Sequence, residues 1–253
     1  MDLFSFPPIA AALDAAYSTL LWIVGVLEPI AGGAAAVIAV ILITLLVRAA
    51  LIPVGVSQAK AEQTRARLAP KLRQLQTRYK NDRERLQRET VKLYADENAS
   101  PLAGCLPLLI QAPIVGIIYT LFLHPAIAGH ANGLLAHQLL GVPLGASAVG
   151  LIGAHAVTGG AVLVFATLVG AIAVVAEVTR RRLRPPAPSS VEPAAPGVAI
   201  MTRMAGVLQF TTAVFALFVP LAAGIYLLVT VAWTLGQRLV LRRRYPLDVP
   251  ARP

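Results

Sequence analysis

Apolar runs of about 18 or more residues recur along this chain, each long enough to cross the ~30 Å hydrocarbon core of a bilayer as a helix. Of its 253 residues, 57% are hydrophobic and only 13% charged, and its mean hydropathy is +0.71. That profile is of a polytopic membrane protein and excludes a soluble domain around one core. Five segments read as spans: residues 30–54, 105–123, 161–178, 200–219 and 221–241. The stretch 9–27 is also apolar, but it carries Asp14 and is closed by Glu28-Pro29. It reads as an amphipathic helix in the interface, with a sixth span as the other option. The fold class expected is an all-α integral membrane protein with five transmembrane helices.

Lys and Arg set the orientation. Of 22 basic residues, 11 lie between Lys60 and Lys92, five between Arg180 and Arg203, and five between Arg238 and Arg252; the last is Arg48. The connection 123–160 has none, and neither does anything before Arg48. By the positive-inside rule the three basic regions face the cytoplasm and the N-terminus lies outside. Five spans, N out and C in, satisfy every loop; a sixth would put the N-terminus inside with no basic residue to hold it. The organisation expected is an outer-face helix at 1–29, the first span at 30–56 and a cytoplasmic helical hairpin at 57–103. The second span follows at 104–124, an extracytoplasmic connection at 125–160 and the third span at 161–179. A cytoplasmic linker at 180–199, with Pro185-Pro186-Ala187-Pro188, leads to the fourth and fifth spans at 200–241. The short turn Val219-Pro220-Leu221-Ala222 makes those two an antiparallel pair, and 242–253 form a basic cytoplasmic tail.

Residues 57–98 are polar and rich in helix formers. Leu68, Leu72, Leu75 and Tyr79 recur at spacings of four, three and four, the pattern of a two-helix seam. Asn81-Asp82 supplies a turn and an N-cap, Leu86 and Leu93 can face the first seam, and Pro70 kinks or restarts the first arm. With 11 basic and six acidic residues, the segment is either a docking arm for an anionic partner or a solvated face obeying the positive-inside rule.

Arg48 interrupts the apolar run 32–56, which has no other charge. A cation at bilayer depth costs at least ~2.5–3.5 kcal/mol on insertion scales and usually marks a functional site. Ser57, the first polar residue beyond the run, is ~13 Å away at ~1.5 Å per helical residue. Two readings are open: an arginine snorkelling to the interface, or a cation facing a wet cavity inside the protein.

Other candidates point to no chemistry. The lone Cys105 excludes an internal disulfide framework and reads as a small packed residue. His124, His130, His137 and His155 match no common zinc spacing, so no metal is expected. Glu177 lies four residues before Arg181, the spacing of a local ion pair, and Trp22 and Trp233 read as interface anchors or, for Trp233, packing. No phosphate-binding glycine motif appears, no nucleotide or other cofactor is expected, and nothing points to specific nucleic-acid recognition. Residues 1–8 lack a basic n-region, so no removable signal is expected, and no cysteine there could carry a lipid.

The segment Asn98-Ala99-Ser100-Pro101-Leu102-Ala103-Gly104-Cys105-Leu106-Pro107-Leu108-Leu109-Ile110-Gln111-Ala112-Pro113-Ile114 closely resembles the signature of the YidC/Oxa membrane-insertase family. So does Thr44-Leu45-Leu46-Val47-Arg48, followed by Pro53 and Gln58-Ala59-Lys60, and so does Val219-Pro220 through Tyr226. Motif order and spacing agree from roughly residue 9 to 244. The resemblance implies a noncatalytic insertase or chaperone of the bacterial plasma membrane, acting alone or beside the Sec translocon. Its five core helices would form a hydrophilic groove open to the cytoplasm and to lipid. Arg48 matches the family's groove arginine, Thr44 a groove-lining position, and Gln111, Tyr226 and Thr230 other polar or substrate-contacting positions. Nascent membrane proteins would be its clients, with the ribosome, the signal recognition particle or its receptor, and the Sec translocon as further partners. Where many relatives carry two adjacent tyrosines this chain has Tyr226-Leu227, and its basic tail is short. The long outer domain of some Gram-negative relatives has no counterpart, which implies the compact form of Gram-positive bacteria and actinobacteria. The rival reading is a small transporter or anion channel with Arg48 as a selectivity charge.

Overall fold

The computed structural model describes residues 7–97, 99, 116–124, 126–127, 130–183 and 210–246. Cys105, Gln111, most of the signature segment, the linker 184–199, the first half of the fourth span and residues 247–253 lie outside them. The chain divides into two compact units, residues 1–49 with 114–235, and 50–113 with 236–253.

The first unit is built on helices too apolar to be stable in water alone. Three helical stretches among the described residues are long and apolar enough to cross a membrane: Ala10–Ala50, Gly159–Arg182 and Leu221–Arg244. The first has 41 residues, about 60 Å of helix and twice the hydrocarbon thickness, so it cannot cross as one rod. It does not run straight. Helix α1, Pro7–Ala31, ends at a single turn of 3₁₀ helix, Gly32–Ala34, where Gly32 takes φ +50°, a conformation glycine adopts without steric cost. Helix α2, Ala35–Ala50, follows. The first helix thus passes Glu28-Pro29, expected to close it, by two residues; the break comes at the glycine pair.

Helix α1 lies along the connection between the later spans. The Tyr17 hydroxyl accepts from Gly133 N–H at 2.9 Å and donates to Ala131 O at 3.3 Å. Sixteen residues on, just past the end of α1, Gly33 sits against Gln138 O. Leu13, Leu20 and Val24 form the buried stripe of α1, and Trp22, Val26 and Ile30 are exposed on the far side.

Helix α5 (residues 116–123) leads into that connection. Its last carbonyls, which have no partner inside the helix, are capped by buried Asn132: Nδ2 donates to Leu121 O (2.7 Å) and His124 O (3.0 Å). Strands β1 (Ala126–Ile127) and β2 (His130–Ala131) pair antiparallel, as do β3 (Gln138–Leu139) and β4 (Val142–Pro143). Leu140 at φ 52° and Gly141 at φ 79° join β3 to β4 in the two-residue turn that suits the twist of a hairpin. These short ladders are an addition to the all-α expectation.

Helix α6 (Ala148–Gly153) is capped by Ser147 and helix α7 (Gly159–Arg182) by Thr158. Ala161, Val164, Phe165, Leu168, Ile172 and Ala176 recur at helical spacing on the buried face of α7. Helix α8, Thr211–Phe215, stops short of Pro220, and helix α9, Leu221–Arg244, starts directly after it. The first amides of α9 find carbonyls in the connection, Leu221 N to Ala146 O (2.9 Å) and Ala222 N to Leu144 O (3.0 Å). Helix α9 meets α7 where Gly224 lies on Leu168.

In the second unit, helix α3, Ile52–Arg78, continues through Pro70, which neither ends nor restarts it. Asp82 caps helix α4, Arg83–Asp96, accepting from Arg85 N at 2.9 Å, as Asn81-Asp82 foretells. Leu68 is fully buried, and Leu72, Leu75, Leu86 and Leu93 are half-buried. Helix α4 returns along α3, and Glu97 just past its end reaches Arg67 (3.1 Å) and Lys71.

The hydrogen bond from Lys71, its charge, and the charge of Arg67 hold the Glu97 carboxylate below its ordinary 4.5. A depressed carboxylate stabilises the folded pair above its unfolded value, and that contribution is lost as pH falls through the folded value. The wild-type pair is therefore expected to lose stability below about pH 4.5 through this group. Glu97→Gln lacks that share of the pH dependence, which thermal unfolding followed by circular dichroism at pH 6 and pH 3 would read.

Candidate functional site

The apolar run read as one span, 30–56, is divided. Pro53 has no N–H to give the carbonyl four residues back and crowds it. Helix α2 accordingly ends at Ala50 and α3 begins at Ile52, with Leu51 (φ −86°, ψ 4°) between them. Arg48 therefore stands in the last turn of α2, where unpaired carbonyls and the negative end of the helix dipole favour a cation. This lowers the cost of the charge, a term the continuous-helix reading leaves out.

The direction in which Arg48 emerges matters more. Ala36, Val40 and Thr44 form the buried stripe of α2, and the next step of four along it is Arg48. Leu42 and Leu46 are 40% and 63% exposed. At about 100° per residue, Arg48 is ~200° around the helix from Leu46, on the protein side. It is half-buried and makes no ion pair among the described residues. Thr44 is 1% exposed, and its hydroxyl donates to Val40 O at 2.6 Å, leaving only acceptor lone pairs for a neighbour.

A second polar face comes from α9. Tyr226 is half-buried, with its ring 6.0 Å from that of Phe122 at 48°, within the range of a favourable aromatic pair. One turn on, Thr230 Oγ1 is buried without a hydrogen-bond partner among the described residues. So is the indole Nε1 of Trp233, another three residues along. Positions 226, 230 and 233 follow the i, i+4, i+7 pattern of one helix face. Both atoms lie on the face of α9 that carries Tyr226, which makes that face a polar one. Trp233 escapes sequence reasoning as a site residue because tryptophan also anchors and packs. Its spacing of seven from Tyr226 is the signal that could have found it.

The structure thus groups Thr44 with Arg48, and Tyr226 with Thr230. Val40, Phe122 and Ile225 belong to the same buried cluster, so both helices pack on one core. No hydrogen bond or ion pair joins the two groups among the described residues, and Gln111 is outside them. Glu177 takes a fork from Arg180 (2.7 Å) as well as the expected contact to Arg181 (2.5 Å). The described residues hold no cluster of His, Cys, Asp or Glu able to bind a metal. His137 Nδ1 donates to Gly133 O at 3.0 Å.

Comparison with known proteins follows the same segments. A family model described as 60Kd inner membrane protein matches residues 26–248. A membrane protein insertase YidC of Streptomyces avermitilis is 31% identical over 83% of this chain and 51% of its own length. One from Clostridium perfringens is 44% identical over 36% of this chain and 38% of its own. Another, from Oceanobacillus iheyensis, is 37% identical over 37% of this chain and 39% of its own. The chain thus spans about half or less of the length of these curated relatives.

Proposed function

The chain belongs to the 60Kd inner membrane protein family, and we propose that it is a membrane protein insertase whose working surface is the Arg48 face of α2 with the Tyr226–Thr230 face of α9. The observation that carries this reading is the direction of Arg48, on the buried stripe of α2 and away from exposed Leu46. A snorkelling arginine needs no such stripe; a groove cation does. Gln111 joins the face in this proposal by its place in the signature. The names of the relatives weigh toward insertion and against the channel reading.

The mechanism needs no covalent step. A client with a polar, often acidic, outer tail must pass that tail through hydrocarbon. Hydrated Arg48, at reduced dielectric, attracts the tail, and the tail's spanning segment then leaves for lipid, driven at ~25 cal/mol per Å² of apolar surface buried.

The proposed topology has five spans, N outside and C in the cytoplasm, with α1 as an interfacial helix. Contact of α1 with the connection at both Tyr17 and Gly33 supports a helix lying along that surface. The same topology makes α3 and α4 a cytoplasmic hairpin. Its basic face would meet the ribosome, or the signal recognition particle or its receptor, and the protein would work alone or beside the Sec translocon. Vesicles containing the purified full-length protein test the function. A single-span client with an acidic tail should become protease-protected in them and not in empty vesicles. Ion flux without any client, and no protection, would support the channel instead.

A further inference from the structure

The basic C-terminal end of α9 is not packed with the rest of its helix: residues from 236 onward cluster with 50–113. Four of its contacts reach residues 55–63 of α3. Gln63 Nε2 donates to Pro246 O at 3.0 Å. Arg242 Nη2 lies 3.7 Å from Glu62 Oε1. The Lys60 ammonium stands 5.8 Å from the centroid of the Tyr245 ring, within cation–π reach. Gln237 lies over the bare Cα of Gly55, so that any Cβ there would displace its amide.

The pairs 55 with 237, 62 with 242, 60 with 245 and 63 with 246 keep nearly one offset in sequence. The two segments therefore run side by side in the same direction. One exposed ion pair holds little, but a hydrogen bond, a cation–π contact and a close glycine approach on the same register add to it.

We infer that the end of α9 is a tether that holds the root of α3 beside it in this parallel register. Arg242 and Lys60, which composition alone offers to an anionic partner, are engaged inside the molecule; a partner drawing on them would loosen the tether. Only that loosening by a partner rests on the insertase reading. The tether itself needs no client to be tested.

The test uses the full-length chain in proteoliposomes, with Cys105→Ala and spin labels at Gln76→Cys on α3 and Val240→Cys on α9, both exposed. Electron–electron resonance should give one narrow distance distribution. Gly55→Leu, which leaves the tail intact, should broaden it at least twofold. Ending the chain after Leu241, which removes Arg242, Tyr245 and Pro246, should do the same. Unchanged width in both variants would overturn the tether.

Discussion

Arg48→Ala should lower insertion of clients with acidic outer tails by about thirtyfold, while Arg48→Lys keeps most of the activity. Two unit charges about 8 Å apart at an effective dielectric of about 20 interact by about 2 kcal/mol, a factor of about 30 in an equilibrium. A lysine keeps the charge but loses the planar fork, so its deficit should be severalfold at most. Clients with neutral tails should be nearly indifferent to all three side chains, because the Coulomb term vanishes with the tail's charge. The readout is the fraction of client protected from protease in vesicles, compared across tails of matched length. The position of Arg48 at the end of α2 also means that its removal costs the fold little: the cation offsets a helix dipole and breaks no ion pair among the described residues. Loss of insertion would therefore reflect the client and not unfolding.

The second large effect concerns stability. A Cβ at Gly224 would meet Leu168 Cδ2 at 2.7 Å, with Ala216 O also in reach at 3.9 Å. Gly224→Val brings two further methyl-sized groups into that approach. Leu168 is itself buried and has little room to turn away, so α7 and α9 must part or strain. Overpacking of this kind costs about 1–3 kcal/mol. The expected result is a clear fall in thermal stability in detergent. Leu168→Ala in the same chain should return part of it by opening the space, and failure of that pair to couple would place the strain elsewhere.

Sequence reasoning anticipates what is local. The apolar runs locate α7 and α9 to within a few residues, Asp82 caps α4 as its turn chemistry implies, and Glu177 pairs with the arginine one turn on. Signals that compete along one stretch are read less well. Pro29 looks like a stop but is passed, because Gly32-Gly33 offers a cheaper bend three residues later. Pro53 looks like a detail within a span, yet it ends α2 and so changes the setting of Arg48. The connection after α5 is the least legible part. Its order comes from contacts between distant positions, such as Asn132 on the carbonyls of Leu121 and His124, and Leu221 on Ala146, which no periodicity announces. Of the candidate site, Arg48 stands out as a charge within an apolar run, whereas Thr44, Tyr226 and Thr230 enter through the family resemblance, and spacings of four put each pair on one helix face. Periodicity puts Arg48 opposite Leu46, but which of the two sides is buried requires the structure, because an apolar run has no polar side from which to read direction.

The central claim is that a client's polar tail passes the face shared by Arg48 and Tyr226. A photoreactive phenylalanine derivative at Tyr226 keeps an aromatic ring there and leaves Arg48 in place. The same group at Leu46 probes the opposite side of α2. Irradiation with a ribosome-stalled client of acidic tail should give adducts to the tail from position 226 and few from position 46. Tail adducts from position 46 and none from 226, with insertion still proceeding, would contradict the account.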